Sequence, residues 1–188
     1  MRLNHDGITI DPSKIASLRN WPRTLGNIKE IRKVLGVLRY QCPFIPNFAH
    51  FTRPLTNLLK KDTPFEWTPE CCASLDTLID IVTPSPVLIM PDQDHQFKLE
   101  VDASQFTIGA ILWQRDPANP KKLRAVGYYS ATLAPVERNY KVYDRELLGI
   151  MRALRHWSHL LRGTSLPAIV WTDHRNLLYY TEPHKVGP

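Results

Sequence analysis

The sequence predicts an α/β protein in which a small helical N-terminal segment is followed by a mixed sheet. In roughly the first third of the chain, apolar residues recur at helical spacing. From residue 96, short segments alternate apolar and polar residues, as strands do. A long helical pattern and one more apolar strand pattern follow. This order indicates three antiparallel strands, a helical crossover and a parallel strand.

The first 65 residues predict a basic bundle of three short helices joined by turns that contain proline. Asp11 is a suitable N-cap, Pro12 occupies the first helical position, and Pro22 ends this helix. The same reasoning predicts the other elements of the segment: a strand at 7–10 and helices at 27–39 and 49–60.

A change of composition at "KKDTPFEWTPE", residues 60–70, marks the best candidate for a domain boundary. We therefore predict a helical segment at 1–65 and an α/β domain at 66–188. The domain begins with an amphipathic helix at 68–82, for which Thr68 is the expected cap.

The remaining pattern predicts a sheet crossed by one long helix. Its expected elements are strands at 96–102, 107–114 and 124–130, a polar loop "RDPANPKK" at 115–122, a helix at 136–161, a strand at 166–173 and a helix at 174–180. The right-handed crossover rule places the last strand parallel to an earlier one, beside the first.

Positive charge is concentrated in the helical segment. Residues 1–65 contain eleven Lys/Arg and four Asp/Glu, whereas the remainder contains thirteen basic and fourteen acidic residues. This asymmetry suggests a polyanionic partner for the N-terminal part, although a solvated basic face without a partner stays an alternative.

The composition argues against several other classes of protein. The three cysteines, two of them adjacent, form neither a disulfide framework nor a zinc pair of the Cys-x-x-Cys type. No apolar run approaches the roughly 20 residues that span a bilayer, and the N-terminus lacks the apolar core of a secretory signal. We therefore expect an intracellular protein without a membrane partner.

Three carboxylates are candidates for a shared metal site. Asp102 and Asp173 end predicted strands, and Glu146 lies on the apolar stripe of the long helix. Adjacent strands lie about 4.8 Å apart, so carboxylates at their ends can share an ion. Hard oxygen ligands suit Mg²⁺ or Mn²⁺. Taken singly, each residue is more often a turn, cap or solvated residue, and only their joint placement favours a metal site.

Ordered motifs along the whole chain resemble a known family. The N-terminal part contains "GITIDPSKIASLRNWP", "LGVLRYQCPFIPNFAHFTRPLTNLLKK" and "FEWTPECCASLDTLI". The rest contains "LEVDASQFTIGAILWQ", "VGYYSATLAPVERNYKVYDRELLGIMRALRHW" and "WTDHRNLLYY". Together they resemble a Pol polyprotein fragment of gypsy-class LTR retrotransposons. The fragment would comprise a reverse transcriptase thumb or connection segment and a ribonuclease H-like domain.

The resemblance implies that Asp102, Glu146 and Asp173 are catalytic and metal-binding carboxylates. Enzymes of this family cut the RNA strand of an RNA–DNA hybrid, using two divalent ions and a metal-activated water. The implied cofactor is Mg²⁺ or Mn²⁺, and the implied partner is an RNA–DNA hybrid or another duplex. The family setting implies the cytoplasm or a virus-like particle, with the nucleus left open.

Further residues are expected to contact nucleic acid. Ser104 and His174 flank the implied site. They are expected either to contact the backbone of the nucleic acid or to have a helix-cap or packing role. Arg138 and Asn139 of "ERNY" are candidate substrate contacts, whereas Tyr140 is expected in the core. Four cations on one predicted helix are expected to contact phosphates in a salt-sensitive way: Lys29, Arg32, Lys33 and Arg39.

The sequence also departs from the family pattern. The fourth acidic residue of the family comes from a later segment, so we expect a C-terminally truncated domain with impaired activity. No Tyr-x-Asp-Asp motif of a polymerase palm occurs, and the palm and fingers are absent from the sequence. Two alternatives remain: a nucleic-acid-binding retroelement remnant without catalysis, and an unrelated α/β binding module in which the carboxylates never meet.

Overall fold

The computed structural model describes residues 1–172 and confirms the predicted α/β class. In chain order, its strands and helices are β1 (Arg2–Asn4), β2 (Gly7–Thr9), α1 (Pro12–Arg19), α2 (Ile28–Tyr40), α3 (Phe48–Asn57), α4 (Pro69–Val82), β3 (Lys98–Ala103), β4 (Thr107–Asp116), β5 (Asn119–Thr132), α5 (Val142–His156), α6 (Ser158–Leu161) and β6 (Ile169–Trp171). None of the helices in this part of the chain combines the length and apolar character needed to cross a bilayer.

Local signals in the sequence account for the N-terminal helices. The Asp11 side chain accepts a hydrogen bond from the Ser13 amide at the start of α1. Asn27 caps α2 by accepting from the Glu30 amide, and the Glu30 carboxylate accepts from the Gly26 amide in return. The predicted strand at 7–10 is also present, as β2, and it pairs with β1, which the sequence did not predict.

The helical segment encloses its own apolar core. Ile31, Val34 and Leu38 of α2 are fully buried, together with apolar residues of α1, α3 and α4. Helix α4 packs on α3, and the Ser74 hydroxyl donates to the carbonyl of Phe51. Because α4 follows residue 65, this core continues past the predicted domain boundary, and the division at 65/66 itself stays a prediction.

The main sheet has the strand order β5-β4-β3-β6. Strands β3, β4 and β5 are antiparallel, and β6 lies parallel to β3, as the crossover rule predicts. Helix α5 covers one face of the sheet over a second apolar core, to which Leu99, Val101 and Leu112 contribute. The opposite face, with Ile111 and Trp113, packs against the core of the helical segment.

The prediction of a polar loop at 115–122 is wrong. Strand β4 continues to Asp116 and β5 begins at Asn119, so only two residues connect the strands. Pro120 suggested a loop because proline cannot donate a ladder hydrogen bond. Within the described sheet, however, β5 is an edge strand, where proline is tolerated.

The helix predicted at 136–161 is shorter than expected at both ends. Residues Glu137–Asn139 form a 3₁₀ turn, Tyr140 is extended, and α5 begins only at Val142. At the other end α5 stops at His156, Trp157 is buried in the core beneath it, and the chain continues as the short α6. The apolar pattern is continuous across these breaks, so periodicity alone did not reveal them.

The N-terminus of α3 docks directly onto the sheet. Asn47, which precedes α3, has a left-handed φ of 50°. The Ala49 amide donates to the Ser130 hydroxyl of β5 at 3.0 Å. A Cβ atom on Gly109 of β4 would lie 2.0 Å from Asn47 Oδ1, so any larger residue at position 109 would displace the Asn47 side chain. The helical segment and the sheet are therefore in close contact at this point.

Candidate active site

Asp102 is the second-to-last residue of β3, and its side chain is exposed. Its neighbours Val101 and Ala103 are buried beneath α5. Because successive side chains of a strand alternate between faces, Asp102 lies on the face opposite α5. It pairs with Gly109 across the hairpin, the glycine that Asn47 approaches. Asp102 is thus accessible at the end of its strand.

The turn that follows β3 is organised by the Ser104 hydroxyl. Its oxygen accepts from the amides of Phe106 and Thr107, at 3.2 and 2.9 Å, and its proton is within reach of the Thr107 carbonyl at 3.0 Å. Ser104 is therefore a turn residue. Its expected contact with nucleic acid stays a prediction.

Glu146 brings a second carboxylate to the end of β3. It is 3% exposed, and its Oε1 accepts from the Ala103 amide at 3.2 Å. Helix α5 lies close to the sheet at Gly149, where an added Cβ would be 3.0 Å from Val101 Cγ1. The close packing of α5 thus places the first turns of this helix over the end of β3.

The third predicted carboxylate, Asp173, and the predicted contact residue His174 lie outside the described residues. Strand β6 ends at Trp171, two residues before Asp173 in the sequence, and Glu100 of β3 lies opposite Trp171. Within residues 1–172, no group of three or more His, Cys, Asp or Glu side chains is close enough to hold a metal ion. Only two of the three predicted ligands belong to this part of the chain.

Arg138 and Asn139 lie in the 3₁₀ turn before α5. Arg138 is partly buried, and its Nε donates to the Leu133 carbonyl at 3.1 Å, whereas Asn139 is exposed. The expectation that Tyr140 belongs to the core is wrong, because its side chain is 43% exposed. Tyr140 follows the turn in an extended backbone conformation.

The four predicted cations of α2 are all exposed: Lys29, Arg32, Lys33 and Arg39. Arg32 and Arg39 line a cleft of about 610 Å³ between α2, α3 and the end of β5. None of the residues that line this cleft is acidic. Cys42 also lines it, and burial raises the pKa of the Cys42 thiol above its usual value although Arg39 acts in the opposite direction. The cleft is therefore electropositive.

One residue of this region was not predicted from the sequence as part of the site. The Arg53 guanidinium of α3 lies 3.6 Å from the ring centroid of Phe106, in the turn after β3. In the sequence, Arg53 and Phe106 belong to separate predicted segments, and no local pattern joins them. Only the docking of α3 onto the sheet reveals the contact.

The described sheet is mixed, with one carboxylate at the end of its inner strand β3 and a second on the covering helix, an arrangement that suits an RNase H-like domain. The chain belongs to the family described as the RNase H-like domain found in reverse transcriptase, whose model matches residues 67–168, more than half of the chain. This match and the relatives below confirm the resemblance to retrotransposon Pol polyproteins.

The similar sequences are transposon polyproteins. The Tf2-3 and Tf2-4 polyproteins of Schizosaccharomyces pombe are each 38% identical to the chain over 176 residues. The aligned region covers 94% of this chain and 13% of each relative. The chain therefore spans only a small part of the length of these relatives.

Two solved structures share the fold. The foamy viral protease-reverse transcriptase dRH in complex with double-stranded DNA superposes with a TM-score of 0.73 and 18% identity, over 96% of this chain and 31% of that chain. The same viral enzyme in complex with an RNA/DNA hybrid gives a TM-score of 0.71 and 18% identity, over 94% of this chain and 24% of that chain. At this identity the likeness concerns the fold.

Proposed function

We propose that the RNase H-like domain hydrolyses the RNA strand of an RNA–DNA hybrid in a reaction that depends on a divalent metal. Asp102, Glu146 and Asp173 are the proposed catalytic carboxylates. The helical segment binds the duplex through the exposed cations of α2. An intracellular setting fits this retroelement function.

The observation that carries the proposal is the parallel register of β3 and β6. Glu100 lies opposite Trp171, and two residues further along the sequence from this pair are Asp102 and Asp173. Ligands of open α/β sheets bind at the carboxyl ends of parallel strands. The Glu146 carboxylate accepts a hydrogen bond from the Ala103 amide and therefore lies at this end of β3. The register supports a shared position for Asp102 and Asp173, and the bond to Ala103 brings Glu146 to the same end of β3 from the side of α5.

The donor set suits Mg²⁺ or Mn²⁺. Carboxylate oxygens are the ligands that these hard cations prefer. Asp102 is exposed and can reach an ion that also binds a phosphate of the substrate, whereas Glu146 is held in place by its backbone contact. When bound, such ions activate water for attack and stabilise the charge that develops on the phosphate oxygens.

Cleavage of a labelled hybrid tests the proposal. With Mg²⁺, the 188-residue chain is expected to cut the RNA strand of an RNA–DNA hybrid while the DNA strand stays intact. Chelation of the metal by EDTA is expected to stop the reaction. The matched control is a DNA–DNA duplex of the same sequence, which should not be cut. An RNA strand that stays intact in a hybrid bound by the protein would contradict the catalytic proposal.

That last outcome would favour a second candidate function, the binding of nucleic acid without catalysis. The observation behind it is the exposed row of cations on α2, beside a cleft with no acidic lining residue. Such binding needs neither a metal ion nor Asp102.

The salt dependence of hybrid binding tests the role of α2. Replacing Arg32 or Arg39 by glutamine is expected to weaken binding and to lower the slope of log K against log salt by about 0.9 for each phosphate that the variant no longer neutralises. Fluorescence anisotropy over a range of salt concentrations measures both quantities. Arg19→Gln on α1 is the control, since Arg19 is equally exposed but outside the cleft. An equal slope in all variants would exclude α2 from the interface.

A further inference from the structure

Two arginines from distant parts of the chain meet at one aromatic ring. Phe106 lies in the turn after β3, and the guanidinium carbons of Arg53 and Arg138 lie 3.6 and 5.6 Å from its ring centroid. Arg53 belongs to α3 of the helical segment, whereas Arg138 belongs to the turn before α5. The Leu133 amide donates to the Phe106 carbonyl, and the Leu133 carbonyl accepts from Arg138 Nε, which ties this turn to the hairpin.

Neither arginine forms a salt bridge within residues 1–172. The acidic residue next to Arg138 is already engaged: Glu137 accepts from Arg152 at 2.5 Å and from the Ala134 amide at 2.8 Å. Arg53 and Arg138 are both partly buried, which weakens the screening of their charges by water. Within residues 1–172, no carboxylate therefore lies at salt-bridge distance from either guanidinium.

The arrangement brings two like charges close together. The two ring distances limit the separation of the guanidinium carbons to about 9 Å, comparable to the screening length of ~8 Å in physiological salt. An anion beside the ring would therefore be attracted by both cations. A guanidinium stacked on an aromatic face keeps its in-plane N–H donors for such an anion.

The position of the pair indicates which anion it binds. Phe106 lies in the turn directly beyond the hairpin pairs Asp102–Gly109 and Ala103–Ile108. We propose that Arg53 and Arg138, stacked on Phe106, bind a phosphodiester group of the nucleic-acid strand that passes the carboxylates at the end of β3. Arginine is suited to this because its planar fork forms paired hydrogen bonds to phosphate. The choice of a nucleic-acid strand as the ligand rests on the proposed function.

The site joins the two parts of the protein. Arg53 comes from the helical segment and Arg138 from the α/β domain, so a strand bound here contacts both. A duplex held at Asp102 is thereby also held by α3, on the side of the sheet opposite α5.

Hybrid binding in the absence of metal tests this site separately from catalysis. Anisotropy of a fluorescent RNA–DNA hybrid in EDTA is measured with the 188-residue chain, wild type and Arg53→Gln. We expect the Kd of the variant to rise at least about tenfold, as for the removal of a charge-assisted hydrogen bond, and the salt slope to fall by about 0.9. Arg19→Gln, an exposed arginine of α1, is expected to bind like the wild type.

The outcomes separate binding from a structural role. A folded Arg53→Gln protein with unchanged Kd and salt slope overturns the proposal, even if its thermal stability is lower. Arg53 would then only stabilise the turn after β3. If Arg53→Gln does not fold, Arg138→Gln decides, because it removes the second cation beside Phe106. Weaker binding with a lower salt slope then supports the site, and wild-type binding and slope overturn it. Loss of binding in a protein that never cleaves RNA supports this site and contradicts the proposed catalysis.

Discussion

Replacing Asp102 by asparagine is expected to reduce metal-dependent cleavage of the RNA strand at least about a hundredfold. The substitution keeps the shape of the side chain but removes the charge that attracts the ion, and a bound divalent ion stabilises the transition state by several kcal/mol. Asp102 is exposed, so the free energy of unfolding should change by no more than about 0.5 kcal/mol. Initial cleavage rates and urea denaturation measure the two effects.

A matched control lies two residues earlier on the same strand and the same face. Glu100 is exposed and accepts from Trp113 Nε1 at 2.8 Å, a bond that glutamine can also accept. Glu100→Gln is therefore expected to cleave the hybrid like the wild type. Equal losses in the two variants would mean that general surface charge matters, and full activity of Asp102→Asn would remove Asp102 from the mechanism.

Replacing Gly109 by alanine is expected to lower the free energy of unfolding by about 1 kcal/mol. The new Cβ would lie 2.0 Å from Asn47 Oδ1, so the exposed Asn47 side chain must turn aside. Urea denaturation followed by circular dichroism measures the loss.

A second substitution should restore this stability. Asn47→Gly removes the clashing side chain and tolerates the left-handed φ of 50° at that position. The double variant Gly109→Ala/Asn47→Gly is therefore expected to recover most of the loss. Gly36→Ala is the control for the same exchange in open space, where no atom outside the adjacent part of α2 lies within 4 Å of the new Cβ. It should stabilise α2 by up to about 1 kcal/mol. A double variant no more stable than Gly109→Ala would contradict the clash.

The strand and helix periodicities predicted much of the fold from sequence. Alternation along β3 places Val101 beneath the covering helix and Asp102 at the accessible strand end, and the structure agrees. Glu146 was predicted on the apolar stripe of its helix, and it is buried against β3. Both inferences depend only on local geometry, which the order of residues determines directly.

Features that depend on contacts between distant segments were not predictable. The two prolines at positions 117 and 120 suggested a loop, because the sequence does not reveal that β5 is an edge strand. The stack of Arg53 on Phe106 and the contact of Asn47 with Gly109 both arise from the docking of α3 on the sheet. Nothing in the local pattern of either segment specifies that docking.

The most direct test of the central claim is where a divalent ion binds in the folded chain. Addition of substoichiometric Mn²⁺ to isotopically labelled protein should broaden the NMR signals of the Ala103 and Glu146 amides first. In Asp102→Asn this selective broadening should disappear, while Glu100→Gln should retain it. If Mn²⁺ instead broadens other acidic regions, such as the exposed Asp92–Asp94 turn, and leaves Ala103 unchanged, the carboxylates at the end of β3 do not form the metal site.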